Sequence, residues 1–176
     1  FGNNGVVSSY SEPGASMLVT GPSSGNGVGI VTTDVSGSGG YGNGQGWSAD
    51  CTDSFGGTSS SSPLVSGVVA LMLDANPNLT WRDVQYILID TAWQVDPGNA
   101  DWTTNDAGRL INHNYGFGAV DAGAATAAAA NWINAGVQTT TTMPVSTVSA
   151  AIPDDSSTGA SDTVNVTDDF NVEHVE

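Results

Sequence analysis

The chain has 176 residues, which is enough for one domain of ordinary size or for one domain and part of another. It carries 18 acidic residues but only two basic ones, Arg82 and Arg109, and its formal net charge is −16. This charge argues against nucleic acid or an anionic membrane surface as a partner, because both require basic patches. No apolar run is long enough to cross a bilayer.

The first 50 residues are rich in Gly, Ser and Asn and predict short buried strands separated by turns. Three short apolar runs, at 5–7, 16–19 and 29–32, are the candidate strands. The glycine-rich segment 37–44 predicts a mobile loop.

Three helices are predicted in the middle of the chain, over 59–75, 81–91 and 121–132. The first is apolar nearly all the way round, which predicts that it is buried on every side. Thr80 and Asp83 have the spacing of a capping box for the second helix. Val84, Ile87, Leu88 and Thr91 would share one face of that helix.

The composition changes after the third predicted helix. Residues 138–151 are mainly Thr, Ser, Ala and Val, which is typical of a linker. Apolar and polar residues then alternate over 162–166 and 170–173, which predicts strands of an antiparallel β domain. Because the chain begins with Phe1 and ends within a predicted strand, we expect it to be part of a longer protein.

Ser59 is the candidate nucleophile. It follows a Gly-Gly-Thr turn and lies at the start of the first predicted helix. Unpaired backbone N–H groups and the positive end of the helix dipole meet there, and both favour the oxyanion of acyl transfer. A serine that only caps a buried helix would give the same pattern, and a nucleophile also needs a base.

The residues around Ser59 carry a family resemblance. The segment 57–63 resembles the nucleophile signature of subtilisin-like serine proteases, and 51–54 and 78–83 are similar to the kexin/furin-type proprotein convertases. The similarity also covers 1–12. It continues at 99–102 and 115–123, which match the end of the family's catalytic domain, and at 152–154, which match the start of the domain that follows it.

The resemblance implies a fold and a domain order. The fold would be α/β, a subtilisin-like three-layer fold with a mostly parallel sheet, followed by the beginning of an all-β sandwich P domain. Residues 1–137 would be the C-terminal part of the peptidase domain, 138–151 a linker and 152–176 the start of a truncated P domain.

The resemblance also implies a mechanism. Ser59 would form the acyl-enzyme, with Gly57 and Thr58 beside the substrate cleft and the oxyanion hole. The triad Asp and His and the oxyanion Asn would precede this chain, so the chain alone should be inactive. We expect His113 and His174 to be structural residues, because a base that follows the serine reverses the family's chain order.

Glu12 is the candidate metal ligand. The resemblance places it at the carboxylate that holds a calcium ion beneath the pocket for a basic P1 residue. Taken by itself, Glu12 is one carboxylate of an acidic protein and would be a solvated loop acid, and one carboxylate does not make a calcium site. Phe55 and Gly56 differ from the animal convertases beside the cleft, and Gly14 stands near a position where those proteins often have a cysteine. Dibasic selectivity is therefore left open.

Cys51 is the single cysteine, so it is either a free thiol or paired with a residue outside this chain. The family pairs the matching cysteine with one well upstream, which favours an oxidising compartment and a secreted or secretory-pathway location. Asp50 and Asp53, the other acids near Ser59, are expected to cap loop backbone.

The sequence thus predicts a serine endopeptidase that cleaves proteins or peptides, depends on calcium and prefers a basic P1 residue. An alternative of another class is a catalytically decayed relative that serves as a binding or adhesion module. An intact Asp and His upstream would distinguish the enzyme from the binding module.

Overall fold

The computed structural model describes residues 1–42, 49–142, 149–155 and 157–167. The chain divides into two units, Phe1–Ala135 and Gly136–Glu176. In the second unit every described residue is exposed and none lies in a helix or strand. The predicted strand at 162–166 is therefore wrong, and the one at 170–173 lies outside the described residues. The linker and the P-domain start stay predictions.

The described part of the first unit contains three α-helices: α1 spans Thr58–Ala75, α2 spans Trp81–Thr91 and α3 spans Ala122–Ala130. Each lies where the sequence predicts a helix. The capping box of α2 is present, since the Thr80 N–H donates to Asp83 Oδ2 at 2.7 Å and the Asp83 N–H donates to Thr80 Oγ1 at 3.3 Å. Ile87 and Leu88 on the predicted apolar face are buried.

Helix α1 is covered on one side. Ser60, Val68 and Met72 are its buried residues, whereas Leu71 is 53% exposed and Leu73 is 40% exposed. The prediction of burial on every side is wrong for this structure. The composition of a helix shows which of its faces can be buried, but the elements packed against the helix decide which faces are buried. The described elements cover one side of α1.

The strands form two small antiparallel pairs. Strand β1 (Ile30–Thr33) pairs with β2 (Cys51–Phe55), with a register irregularity between Ile30 and Thr32. Strand β3 (Thr103–Thr104) pairs with β4 (Leu110–Ile111). The predicted strand at 29–32 is confirmed with a shift of one residue, but residues 5 and 6 form a bend and residue 7 has no regular structure. At 16–19 only the last residue takes part in an isolated bridge.

Isolated β-bridges connect residues outside the named strands. Thr20 and Ala119 form a parallel bridge, whereas Trp93 with Ala119 and Val19 with Gly116 are antiparallel. Gly116 has φ of +61°, and a Cβ there would collide with the Leu18 carbonyl, so this crossing requires glycine. Extended parallel pairing is not found among the described strands, and the mostly parallel sheet stays a prediction.

The core consists of two clusters. The larger one lies where α3 packs on α1 and α2, and its buried members are Val68, Met72, Leu79, Ile87, Leu88, Ala125 and Ala129. The smaller one contains Val95, Tyr115 and Ala119. No helix in the described ranges is long and apolar enough to span a membrane.

Candidate active site

The candidate nucleophile lies at a strand–turn–helix junction. Strand β2 ends at Phe55, Gly57 is the N-cap of α1, and Ser59 is the second residue of the helix. Gly57 has φ of +78°, a conformation that side chains with a Cβ rarely adopt, so glycine is what allows the chain to turn into the helix here. Thr58 and Ser59 are both exposed, so the Ser59 hydroxyl is accessible to a substrate.

The backbone N–H groups at the start of α1 are only partly paired. The Ser60 N–H donates to the Gly57 carbonyl at 3.1 Å, but the Ser59 N–H has no acceptor among the described residues. No acidic side chain lies in the first turn of α1. The start of this helix is therefore suited to a developing negative charge.

The described residues do not supply a base for Ser59. The His113 ring instead lies 3.1 Å from Asp101 Oδ2, and both side chains are exposed. The His113 backbone N–H also donates to Asp101, and these two hydrogen bonds lower the pKa of the Asp101 carboxyl. This pairing agrees with the structural role expected for His113, while His174 lies outside the described residues.

A group of hydroxyls that was not predicted from the sequence contacts the turn between β2 and α1, which is called the nucleophile turn below. The Tyr10 hydroxyl is 2.8 Å from Ser23 Oγ and 2.5 Å from the Ser24 carbonyl oxygen. Ser23 Oγ donates to the Gly57 carbonyl at 2.7 Å and is also 2.7 Å from Ser60 Oγ. Serines in a glycine-rich loop are ordinary turn residues, so no sequence signal singles them out.

The turn at Ser24 also packs directly on Gly56. A Cβ at position 56 would collide with the Ser24 side chain, and the Gly57 N–H donates to Ser24 Oγ at 3.4 Å. The smaller residue at Gly56, which the sequence marks as a departure from animal convertases, therefore allows Ser24 to lie against the nucleophile turn.

A cavity of about 400 Å³ lies between the loop that contains Tyr10 and one face of α1. Its lining is mostly apolar and includes Met17, Leu18 and Val65, with Thr58 at the end nearest the nucleophile turn. The cavity thus adjoins the candidate site.

Glu12 lies on an exposed loop. The loop is anchored two residues later, where the Gly14 N–H donates to the His113 carbonyl at 2.8 Å. No group of three His, Cys, Asp or Glu side chains able to hold a metal occurs in the described part of the chain. The described residues therefore do not make a calcium site by themselves.

The remaining candidates lie in or next to β2. Cys51 is its first residue, half-buried and not paired within the chain. Asp53 is an exposed residue of the strand, so the loop position expected for it is wrong, whereas Asp50 lies in the turn before the strand.

Comparison with known proteins identifies the family. The sequence model of the subtilase family matches residues 2–118. This chain belongs to the subtilase family. Human furin is 45% identical to this subtilase over 134 residues, which are 75% of the chain and 15% of furin. Protease KEX1 of Kluyveromyces lactis is 38% identical over 134 residues, 76% of the chain and 16% of that protein. The chain is therefore of the kexin/furin type.

A solved structure supports the same family. The serine protease of Aeromonas sobria superposes with a TM-score of 0.68 at 28% identity, over 76% of this subtilase chain and 29% of the other. The α/β subtilase fold is confirmed. The chain spans about one sixth of the length of these curated relatives, 15% of human furin and 16% of KEX1.

Proposed function

We propose that the protein is a serine endopeptidase of the kexin/furin type and that Ser59 is its nucleophile. The observation that carries the proposal is the exposed Ser59 hydroxyl at the Gly57-capped start of α1, beside its own unpaired backbone N–H. The relatives named furin and KEX1 support the activity.

The reaction proceeds by acyl transfer. Ser59 Oγ attacks the scissile carbonyl carbon and gives its proton to a histidine that this chain does not supply. The Ser59 N–H is one donor to the oxyanion, and the leaving amine takes the proton from the histidine. Water then hydrolyses the acyl-enzyme and restores the serine hydroxyl. The chain alone is inactive in this account, because the described residues place no base at Ser59.

The substrates are proteins or peptides, and the residue before the scissile bond is basic. The net charge of −16 supports this preference, because an acidic protein attracts cationic segments and repels acidic ones. A panel of fluorogenic peptides that differ only at P1 tests both the activity and the preference, using the full-length protein. Arg and Lys peptides should be cleaved faster than Leu and Glu peptides. Cleavage of the Leu peptide at an equal kcat/KM would contradict the preference.

Glu12 contributes one ligand of a calcium site whose other ligands lie outside this chain. Replacing Glu12 with Gln should raise the calcium concentration needed for half-maximal activity by about tenfold, because a neutral amide binds Ca²⁺ more weakly than a carboxylate. Activity is measured across a calcium titration, with Asp74→Asn as the control because Asp74 is exposed on α1. An unchanged midpoint in Glu12→Gln would remove Glu12 from the site.

The proposal extends to the rest of the protein. Residues 138–151 form the linker, 152–176 begin an all-β P domain, and the complete peptidase domain has a mostly parallel sheet. The relatives support a secreted or secretory-pathway location, where Cys51 would be disulfide-bonded. The comparisons do not favour the alternative of a decayed binding module.

A further inference from the structure

We propose that Tyr10 and Ser23 are positioning residues that orient the nucleophile turn. The proposal rests on the proposed function, because it assigns a role to these hydroxyls through Ser59. Neither residue touches the substrate in this account. Both act on the backbone of Gly57, two residues before the nucleophile.

The Gly57 carbonyl oxygen accepts hydrogen bonds from two parts of the chain. It accepts hydrogen bonds from Ser23 Oγ at 2.7 Å, from Ser60 Oγ at 3.0 Å and from the Ser60 N–H at 3.1 Å. The two donors on Ser60 belong to the helix itself, so Ser23 is the donor that ties the turn to another part of the chain. These bonds fix the plane of the peptide between Gly57 and Thr58, from which the helix starts.

Proton counting gives the hydroxyls a direction. Each hydroxyl has one proton, and Ser23 uses its own for the Gly57 carbonyl. The contact of Ser23 Oγ with the Tyr10 hydroxyl, at 2.8 Å, then requires the Tyr10 proton, which Tyr10 shares between Ser23 Oγ and the Ser24 carbonyl oxygen at 2.5 Å. A chain from Tyr10 through Ser23 to Gly57 results. It is anchored at its outer end, where the Tyr10 hydroxyl also lies 3.0 Å from Ser24 Oγ.

The burial of these groups suits a positioning role. Ser23 and Ser60 are buried, so a hydrogen bond that either serine loses to the Gly57 carbonyl is not replaced freely by water. Tyr10 is 42% exposed, and replacing it with Phe removes the hydroxyl while keeping the ring. Tyr10 is also two residues from Glu12, so the chain of hydroxyls connects the loop of the candidate metal ligand to Ser59.

The test uses Tyr10→Phe and Ser23→Ala in the full-length active protein. Each should lower kcat by about tenfold with KM within twofold, because a shifted nucleophile slows the chemistry without weakening substrate binding. The rate at which an aryl phosphonate labels Ser59 should fall by a similar factor. The double variant should lose little more than either single one, because both act through one chain of bonds.

Matched controls separate positioning from general loosening. Tyr41→Phe removes a hydroxyl from a side chain that is 84% exposed, and Ser66→Ala removes one that bonds only within α1. Both should keep the normal kcat and labelling rate. If Ser23→Ala does not fold, Tyr10→Phe carries the test, because it leaves the buried serines in place.

Two results would overturn the positioning role: an unchanged kcat in Tyr10→Phe and Ser23→Ala, or a loss of thermal stability and a raised KM at constant kcat. Failure of the proposed function is recognised differently. In that case Ser59→Ala itself would remain active, whatever the Tyr10 and Ser23 variants do.

Discussion

Replacing Ser59 with Ala should lower kcat by roughly five orders of magnitude while the protein still folds. The hydroxyl is the attacking group, and a nucleophile, a base and its orienting acid act as a unit, so loss of one member removes nearly the whole contribution of the triad. The substitution removes one exposed oxygen from the second residue of α1 and breaks no hydrogen bond to another described side chain. Steady-state cleavage of a fluorogenic peptide gives kcat, and circular dichroism checks the fold.

The control is Ser62→Ala, which removes an exposed serine hydroxyl from the same helix turn. Ser62→Ala should keep kcat within about threefold of the unmodified protein, because its side chain has no catalytic role in this account. Near-normal turnover in Ser59→Ala would remove Ser59 from the mechanism. An equally large loss in Ser62→Ala would mean that the helix start, rather than one hydroxyl, is sensitive to substitution.

Replacing Asp83 with Ala should produce the largest loss of stability. Asp83 is fully buried and accepts hydrogen bonds from the Thr80 backbone and hydroxyl at 2.7 and 2.6 Å. It also accepts from Trp132 Nε1 at 3.1 Å, Asn134 Nδ2 at 3.0 Å and the Ala135 N–H at 2.7 Å. The carboxylate thus joins the start of α2 to the segment after α3, where the first unit ends.

Alanine at position 83 would leave several donors without their acceptor. The free energy of unfolding should fall by about 3 kcal/mol or more, since each buried donor left unpaired costs about 1 to 3 kcal/mol. Urea unfolding of the full-length protein measures the loss, and hydrogen exchange should show faster exchange over 80–91 and 129–135. Asp90→Ala is the control on the same helix. It breaks the exposed ion pair with Arg109 and should cost less than about 1 kcal/mol. Equal losses in the two variants would contradict this role for Asp83.

The same carboxylate predicts a dependence on acid. Burial raises the pKa of Asp83, but hydrogen bonds from Thr80, Ala135 and Trp132 outweigh it and lower the pKa from 3.8 to about 2. A depressed pKa in the folded state stabilises the protein above pH 3.8, and the contribution is lost as the pH falls towards 2. Asp83→Ala should lack this part of the acid dependence. The difference in the free energy of unfolding between the unmodified protein and Asp83→Ala should therefore decrease as the pH falls from 3.8 to about 2.

The sequence predicts best those features that depend on residues close together in the chain. The start of α2 follows from Thr80 and Asp83, which cap one another across three residues. The position of Ser59 follows from a turn and a helix start that are contiguous in the chain. The strand at 5–7 was wrong because a short apolar run has no pairing partner of its own, and Val7 instead donates its N–H to the Tyr115 hydroxyl.

Features that depend on distant residues could not be predicted. Ser23 meets Gly57 across 34 residues of chain and Tyr10 meets Ser23 across 13, and nothing in the loop composition indicates these contacts. Asp83 was predicted as a cap, but its bonds to Trp132, Asn134 and Ala135 arise only when α3 packs against α2. The exposed face of α1 could not be predicted for the same reason, because the apolar composition of a helix does not indicate which elements cover it.

Covalent labelling of the full-length active protein with an aryl phosphonate tests whether Ser59 is the nucleophile. Mass spectrometry of the peptide containing residues 56–74 then locates the adduct. The account predicts one adduct, on Ser59 and not on Ser60, Ser61 or Ser62, formed in step with the loss of peptidase activity. An adduct on another residue, or complete loss of activity with Ser59 unlabelled, would contradict the assignment of Ser59 as the nucleophile.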